Sequence, residues 1–330
     1  MERTYGTHDT FHAPSGEPQG PCRMSAEVIA TFGRHLLLRS PDGIVHKARP
    51  QGRHLEIACG DRVEYEQNAG ETIVTAVCPR ATQLRRSSLR ARSELLAANL
   101  TQLAVVVAPL PEPDLFVVDR FLCAAECAGL HALIVCNKQD LALQQPMQAA
   151  LAPYAALGYP ICGLSAAAAA DAPQLLDPLR AALRDHTTIF VGQSGVGKSS
   201  LTRLLTSDPA QIAIGALIKD EEGRHTTTAS RLFDCDGGGR IVDSPGVRDF
   251  APAIDDLEPT TLGFREVAQR ASQCRFQDCS HMQEPGCAVQ AAVQAASVDA
   301  RRYESYRRLR RLYDQLWKKR PEAERAARRH

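Results

Sequence analysis

Gly192-Gln193-Ser194-Gly195-Val196-Gly197-Lys198-Ser199 follows the apolar run 188–191 (Thr-Ile-Phe-Val) and precedes a helical stretch from Ser200 to Leu205. The octet matches the P-loop pattern, and a strand before it with a helix after it is the context the pattern requires. Glycines let the backbone wrap its N–H groups around phosphates, Lys198 places a positive charge against the β and γ oxygens, and the Ser199 hydroxyl is a ligand for Mg²⁺. Residues 192–200, Ser200 included, are therefore nucleotide-binding candidates, with Lys198 also a catalytic one.

Around this loop the chain reads as α/β. Leu103–Ala108, Ala132–Cys136 and the run before Gly192 are continuously apolar, as expected of parallel strands covered on both faces. Helices are expected over Leu115–Gly129, Pro146–Leu157 and Pro173–Arg184, while the alanine run Ala166–Ala170 reads as a spacer. At the carboxyl end of the strand Ala132–Cys136 stands Asn137-Lys138-Gln139-Asp140, where ligands of open α/β sheets bind. A P-loop does not separate ATP from GTP, but this tetrad does. The Asp140 carboxylate can accept from both N1 and N2 of guanine, a donor pair adenine lacks; Asn137 can bond the base edge, and the Lys138 stem can lie along the ring.

Three further pieces complete a GTP site. Asp243-Ser244-Pro245-Gly246 follows the strand Arg240–Val242, so that Asp243 can hold Mg²⁺ through water and the Gly246 N–H can reach the γ-phosphate. Gly223-Arg224-His225-Thr226-Thr227-Thr228 supplies hydroxyls, Thr227 among them, for the Mg²⁺ shell. Ser165-Ala166, after the strand Tyr159–Cys162, can bring a backbone N–H to the guanine carbonyl. The order is the informative feature. Ordinary GTPases run from P-loop to base-reading motif, whereas here the base-reading pair at 137–166 precedes the phosphate-binding set at 192–246, so the domain is circularly permuted. Permutation keeps strand neighbours, because the ends of a compact domain usually lie close together.

Other segments flank this domain. Residues 1–22 are polar and proline-punctuated, and read as a disordered tail. From 23 to 80 the candidates Ala26–Ala30, His35–Arg39, Gly43–Ala48, Asp61–Gln67 and Glu71–Val77 suggest a small barrel; the count suits an OB-like barrel, often a nucleic-acid binder, and equally an SH3-like one. Residues 81–94 read as a basic linker, 95–251 as the permuted domain and 252–330 as a mostly helical domain. Cys274-x₄-Cys279-x-His281-x₅-Cys287 places three thiolates and an imidazole within fourteen residues, a donor set for a closed structural zinc site; scattered core cysteines are the other reading. The remaining cysteines are irregularly spaced and read as small core residues.

Net charge is only +1, but basic residues are clustered. Arg80, Arg85, Arg86, Arg90 and Arg92 fall in a stretch without an acid, and residues 298–330 hold twelve Arg or Lys against five acids, with Tyr303, Tyr306, Tyr313 and Trp317 interleaved. These blocks read as RNA-phosphate contacts or, for the second, as a solvated helix face. With no apolar run of about 18 residues and no signal-peptide pattern, the cytoplasm is the expected compartment, without membrane attachment.

In the barrel, the motifs Asn137–Asp140, Gly192–Ser199, Gly223–Thr228 and Asp243–Gly246, and the cysteine-histidine cluster, residues 24–318 resemble the circularly permuted ribosome small subunit-dependent GTPase A (RsgA/YjeQ) family. The resemblance implies an OB-fold, a zinc-bearing C-terminal domain, slow intrinsic GTP hydrolysis, and stimulation by the 30S subunit during its late maturation. The partners expected are GTP and GDP, the 30S subunit and its 16S rRNA, and the chain is expected to be a monomer. Val247 stands where ordinary GTPases often place a water-orienting glutamine, which leaves His225 and Arg224 as the nearest candidates for orienting water or stabilising charge, a structural role being the alternative. Competing readings are a P-loop ATPase or small-molecule kinase, and a nucleotide-dependent RNA-binding protein with another partner. Asp140→Asn is expected to weaken GTP binding while strengthening that of xanthosine triphosphate, since the amide can donate to the xanthine carbonyl; competition binding with the two nucleotides checks it.

Overall fold

The computed structural model describes residues 24–52, 54–68, 70–87, 93–206, 230–244 and 256–319. The proposed tail, Arg90, Arg92, the 223–228 loop with His225 and Thr227, and Gly246 with Val247 lie outside the described residues. Strands β1 (Met24–Phe32), β2 (His35–Arg39), β3 (Val45–Pro50), β4 (Arg62–Asn68) and β5 (Glu71–Val77) form the barrel. Their order is β1-β2-β3-β5-β4, closed by pairing of β4 with β1, and β3 runs parallel to β5. This Greek-key closure is that of an OB-fold, so connectivity decides between the two barrels that the strand count left open. Val28, Leu36, Leu38, Val63, Tyr65 and Val74 fill its interior. A bulge in β1 between Val28 and Ala30 shifts the alternation, so that Ile29, Ala30 and Phe32 join the core of the adjoining domain.

The permuted domain contributes β8 (Gln102–Val107), β9 (His131–Cys136), β10 (Ile161–Gly163), β11 (Thr187–Val191), β12 (Ser230–Asp234) and β13 (Arg240–Asp243). Across the sheet the order is β10-β9-β8-β11-β13-β12; all neighbours are parallel except β12, which runs antiparallel to β13. Side-chain alternation sorts the two faces. Leu103, Val105, Val107, Ile134 and Ile189 face α1 (Leu115–Cys127) and α2 (Gln144–Ala156). Ala104, Val106, Leu133, Val135 and Phe190 face α3 (Ala166–Asp171), α4 (Asp177–Leu183) and α5 (Lys198–Leu205). Strand β12 was not foreseen: Ser-Arg-Leu-Phe-Asp buries only Leu232 fully and, with Ser230, Arg231 and Asp234 around it, carries no continuous apolar run. The alanine spacer is also a helix, α3, because Ser165 caps it by accepting the Ala168 N–H at 3.2 Å.

The supposed linker 81–94 is corrected to a hairpin, β6 (Gln83–Ser87) with β7 (Ser93–Ala98). Its described arginines have intramolecular partners: Arg80 bonds Asp61, Arg85 bonds Glu56 and Arg86 bonds Glu94, each within 3.0 Å. The acids are supplied by neighbouring strands and loops, outside the stretch whose lack of acids suggested phosphate contact. Arg85 thus braces the hairpin against the barrel, while Arg86 bridges the two hairpin strands and Arg80 fastens the connection after β5.

Helices α6 (Arg265–Ala271), α7 (Ala288–Gln294) and α8 (Ala300–Lys318) build the last domain. The basic residues of α8 divide. Arg302, 1% exposed, bonds Asp119 of α1 at 2.6 Å and both oxygens of Glu266 at 2.6 and 2.9 Å, while Arg301 takes the other Asp119 oxygen at 2.8 Å. Burial opposes the Arg302 charge, but the Glu266 and Asp119 carboxylates outweigh it and raise its pKa above the usual range. Tyr306, Leu309 and Tyr313 are core residues of this domain. The helix is thus anchored through one face, and Arg308, Arg311 and Lys318 are exposed. Among the described residues no helix is long and apolar enough to cross a membrane. Arg302→Met leaves two buried carboxylates without their common partner and is expected to cost about 3–5 kcal/mol, against roughly 0.5 kcal/mol for the exposed Arg311→Ala; denaturant midpoints of the two variants check the contrast.

Candidate nucleotide site and metal centre

The P-loop leaves the carboxyl end of β11 and enters α5, whose amino terminus points its unpaired N–H groups at the loop. Two of its glycines are required by contact. A Cβ on Gly192 would stand 2.2 Å from the Val106 carbonyl oxygen, and one on Gly197 would stand 2.2 Å from Asn137 Nδ2. Both also hold positive φ, 136° and 101°. The Lys198 ammonium donates to the carbonyls of Gly192 and Gln193 at 2.6 and 2.7 Å, folded back over the loop it would serve. Ser194, Gly195, Ser199 and Ser200 are exposed on this surface and Val196 is buried beneath it.

Asn137 ties the loops together. Only 2% exposed, its Nδ2 donates to the Val196 carbonyl of the P-loop at 2.9 Å, and its Oδ1 accepts the Ala166 N–H at 2.9 Å. One N–H and one lone pair of the amide remain for a base, and the Ala166 N–H is spent on Asn137 rather than aimed outward. Asp140 is exposed and accepts from the Ser165 hydroxyl, a bond that lowers its carboxyl pKa. The bond favours the ionised carboxylate and fixes one of its oxygens. Gln139 binds inward, its N–H to the Leu164 carbonyl and its Nε2 to Cys136 Sγ at 3.1 Å. Asp243 ends β13 with its side chain exposed, and Ser244 beside it is buried, bonding the Ser230 hydroxyl at 3.0 Å.

One element was missed from the sequence. The loop 108–114 between β8 and α1 touches three of these parts: the Leu110 carbonyl accepts from Lys138 Nζ at 2.7 Å, Pro111 lies 3.7 Å from a Cβ built on Gly195, and the Asp114 N–H donates to Gln193 Oε1 at 3.0 Å. Its signal was Pro109, Pro111 and Pro113, alternating at the carboxyl end of an apolar strand.

Cys274, Cys279, His281 and Cys287 converge, each offering one ligand atom within 4.8 Å of the others. His281 Nδ1 stands 3.4 Å from the Cys274 sulfur and 3.5 Å from that of Cys287, and those two sulfurs are 3.9 Å apart. Tetrahedral zinc with bonds of about 2.0–2.3 Å would separate its ligand atoms by roughly 3.5–3.8 Å. The donor set and spacing fit a closed metal site. Without a cation burial pushes the Cys279 thiol up to about 12, its neighbouring thiols adding to the shift; a bound cation reverses that preference. Tyr303 and Tyr306 of α8 donate to the carbonyls of His281 and Ser280, both at 2.7 Å, tying the cluster to the domain core.

Fold and site together define a class: a circularly permuted P-loop GTPase between an OB-fold barrel and a helical domain with a cysteine-histidine metal site. A family model described as RsgA GTPase matches residues 77–252. A small ribosomal subunit biogenesis GTPase RsgA of Neisseria meningitidis serogroup B is 37% identical over 294 residues, covering 88% of this chain and 92% of its own. That of Azotobacter vinelandii is 38% identical over 303 residues, covering 89% and 87%. The crystal structure of YjeQ from Thermotoga maritima superposes with a TM-score of 0.68 at 28% identity, covering 91% of this chain and all of its own. YloQ, a circularly permuted GTPase, shares the fold with a TM-score of 0.64 at 23% identity, covering 93% of this chain and all of its own. The chain belongs to the RsgA GTPase family, and its reaction is the hydrolysis of GTP to GDP and phosphate. Cys279→Ala is expected to lower bound metal from about one equivalent to well under half and to loosen the last domain, because structural metal binding is folding free energy; elemental analysis with thermal unfolding checks both.

Proposed function

We propose that this protein is a cytoplasmic, monomeric GTPase of small-subunit biogenesis that binds the 30S particle through its 16S rRNA and leaves it on hydrolysis. The observation that carries the guanine-nucleotide reading is the Asn137 amide, which joins the phosphate-binding loop to the 165–166 loop. In this reading Asp140 selects guanine, with Lys138, Gln139, Ser165 and Ala166 around the base, while residues 192–200 cradle the phosphates. Lys198 leaves the Gly192 and Gln193 carbonyls to neutralise the β and γ oxygens. Ser199, Thr227 and, through water, Asp243 hold Mg²⁺; the two described donors are exposed hard oxygens at one end of the sheet, which suits that ion. Bound there, it neutralises charge on the β and γ oxygens. The ion of the Cys274–Cys287 cluster is zinc, with all four positions taken and a structural role.

Hydrolysis by the free protein is slow, because Val247 cannot orient water; His225 takes that part once the subunit is bound. The names of the relatives, which describe small ribosomal subunit biogenesis, support the partner. Arg85 and Arg86 are spent on Glu56 and Glu94, so the phosphate contacts pass to the barrel and the exposed bases of α8.

Purified protein is expected to turn over GTP slowly alone and at least about tenfold faster with 30S subunits, within the range that supplied catalytic groups give GTPases. Co-sedimentation is expected to be tighter with a non-hydrolysable GTP analogue than with GDP, and to weaken steeply with salt. Equal binding in both nucleotides would refute release on hydrolysis, and no binding in either would refute the partner.

A further inference from the structure

Barrel and catalytic sheet share one continuous hydrogen-bonded ladder. At the junction Thr31 and Ala30 of β1 pair with Ser230 and Arg231 of β12, and Arg231 in turn pairs with Asp243 of β13. Asp243 is thus one strand removed from the barrel wall. The ladder is fastened by side chains from both domains. The Glu27 carboxylate of β1 accepts from Arg240 of β13 through one oxygen and from Arg39 of β2, at 3.2 Å, through the other. Arg39 also takes both oxygens of Asp234 in β12, and Arg240 reaches the Thr187 hydroxyl of the P-loop strand at 2.8 Å. Five strands meet in this set. The side chains of Glu27, Arg39 and Arg240 are only 22%, 28% and 34% exposed. An isolated exposed ion pair does little, but a half-buried network with bidentate geometry holds register.

We propose that Glu27, Arg39, Asp234 and Arg240 are positioning residues for the Mg²⁺–nucleotide site. They fasten β12 and β13 to the barrel, so that the stand of the Asp243 carboxylate depends on the shape of β1 and β2. The proposal rests on the reading of Asp243 as the group that holds Mg²⁺ through water. Linkage then runs both ways: a ligand that reshapes β1–β2 changes Mg²⁺ affinity, and Mg²⁺–GTP changes affinity for that ligand by the same factor. The P-loop glycines and the Asn137 strut lie outside the ion-pair set, so contacts to nucleotide made without Mg²⁺ are untouched by it.

The test is the affinity of the full chain for a fluorescent non-hydrolysable GTP analogue, measured in EDTA and across a Mg²⁺ series. Glu27→Ala is expected to raise the Mg²⁺ concentration at half-maximal effect about fivefold, the lower end of ordinary coupling between sites, with the affinity in EDTA unchanged. Glu27→Gln, whose single carboxamide oxygen can accept only one of the two hydrogen bonds, is expected to recover only part of the loss. Asp234→Asn, at a 47% exposed side chain that tolerates change, is expected to move the midpoint the same way and carries the test if Glu27→Ala does not fold. Asp243→Asn separates the two readings. If it raises the Mg²⁺ midpoint while the Glu27 and Asp234 variants keep the wild-type value, the positioning role is overturned and the Asp243 reading stands. If Asp243→Asn keeps the wild-type midpoint, the Asp243 reading is overturned and the positioning role with it. Equal loss of affinity in EDTA and in Mg²⁺ for the Glu27 and Asp234 variants would mark a general loss of structure and also overturn it.

Discussion

The Asn137 carboxamide bonds the two halves of the nucleotide site. The site is drawn from sequence segments that permutation has reordered, and each segment is a loop at the carboxyl end of a strand, held by little of its own. Asn137 leaves β9 buried and offers its donor to the P-loop and its acceptor to the head of α3. A buried amide is satisfied only when both loops are in place, and an unmade bond there carries the full cost of desolvation. Correct assembly of one loop is therefore made conditional on the other. Gly197 belongs to the same constraint, since any side chain at that position would collide with the amide.

Three different interactions attach the flanking parts to this core. The barrel is joined by backbone pairing, β1 to β12, reinforced by half-buried charges. The helical domain is joined by an almost fully buried charge cluster, with Arg302 between Asp119 and Glu266, and by packing of Cys123 from α1 into the hydrophobic core around Phe264 and Tyr306. The hairpin is joined through Arg80 and Arg85 to the barrel. Buried charges of this kind add less to stability than their bond lengths suggest, because desolvation offsets most of the attraction. They restrict geometry instead, since the charges have no other low-energy arrangement. The outcome is a central domain held to the barrel at β12 and to the helical domain at α1.

Most of the catalytic sheet was legible in the sequence. Strands buried on both faces read as uninterrupted apolar runs, and the P-loop and the Asn137–Asp140 tetrad sit at their ends with recognisable chemistry. Legibility failed where a residue's partner lies far along the chain. Arg80 and Arg85 looked like free bases because Asp61 and Glu56 are distant in sequence, and Arg302 looked like one of many surface arginines because Asp119 is 183 positions away. Strand β12 was passed over since its apolar residues are only Leu232 and Phe233, too few to read as an apolar run. Residues 166–170 were taken for a spacer because a short helix depends on its cap, here Ser165, more than on propensity.

By itself the sequence determined the chemistry: which loop can wrap phosphates, which carboxylate can select guanine, which four side chains can hold a metal, and that the order of motifs is permuted. These are local properties, set by residue types at short spacing. Tertiary structure alone decided that the barrel closes as an OB-fold and that its first strand extends the catalytic sheet. It alone paired the basic blocks with carboxylates and turned Asn137 into a strut. Each of those outcomes is a pairing between groups far apart in the chain, and such pairings are selected by burial and register, which no short stretch of sequence contains.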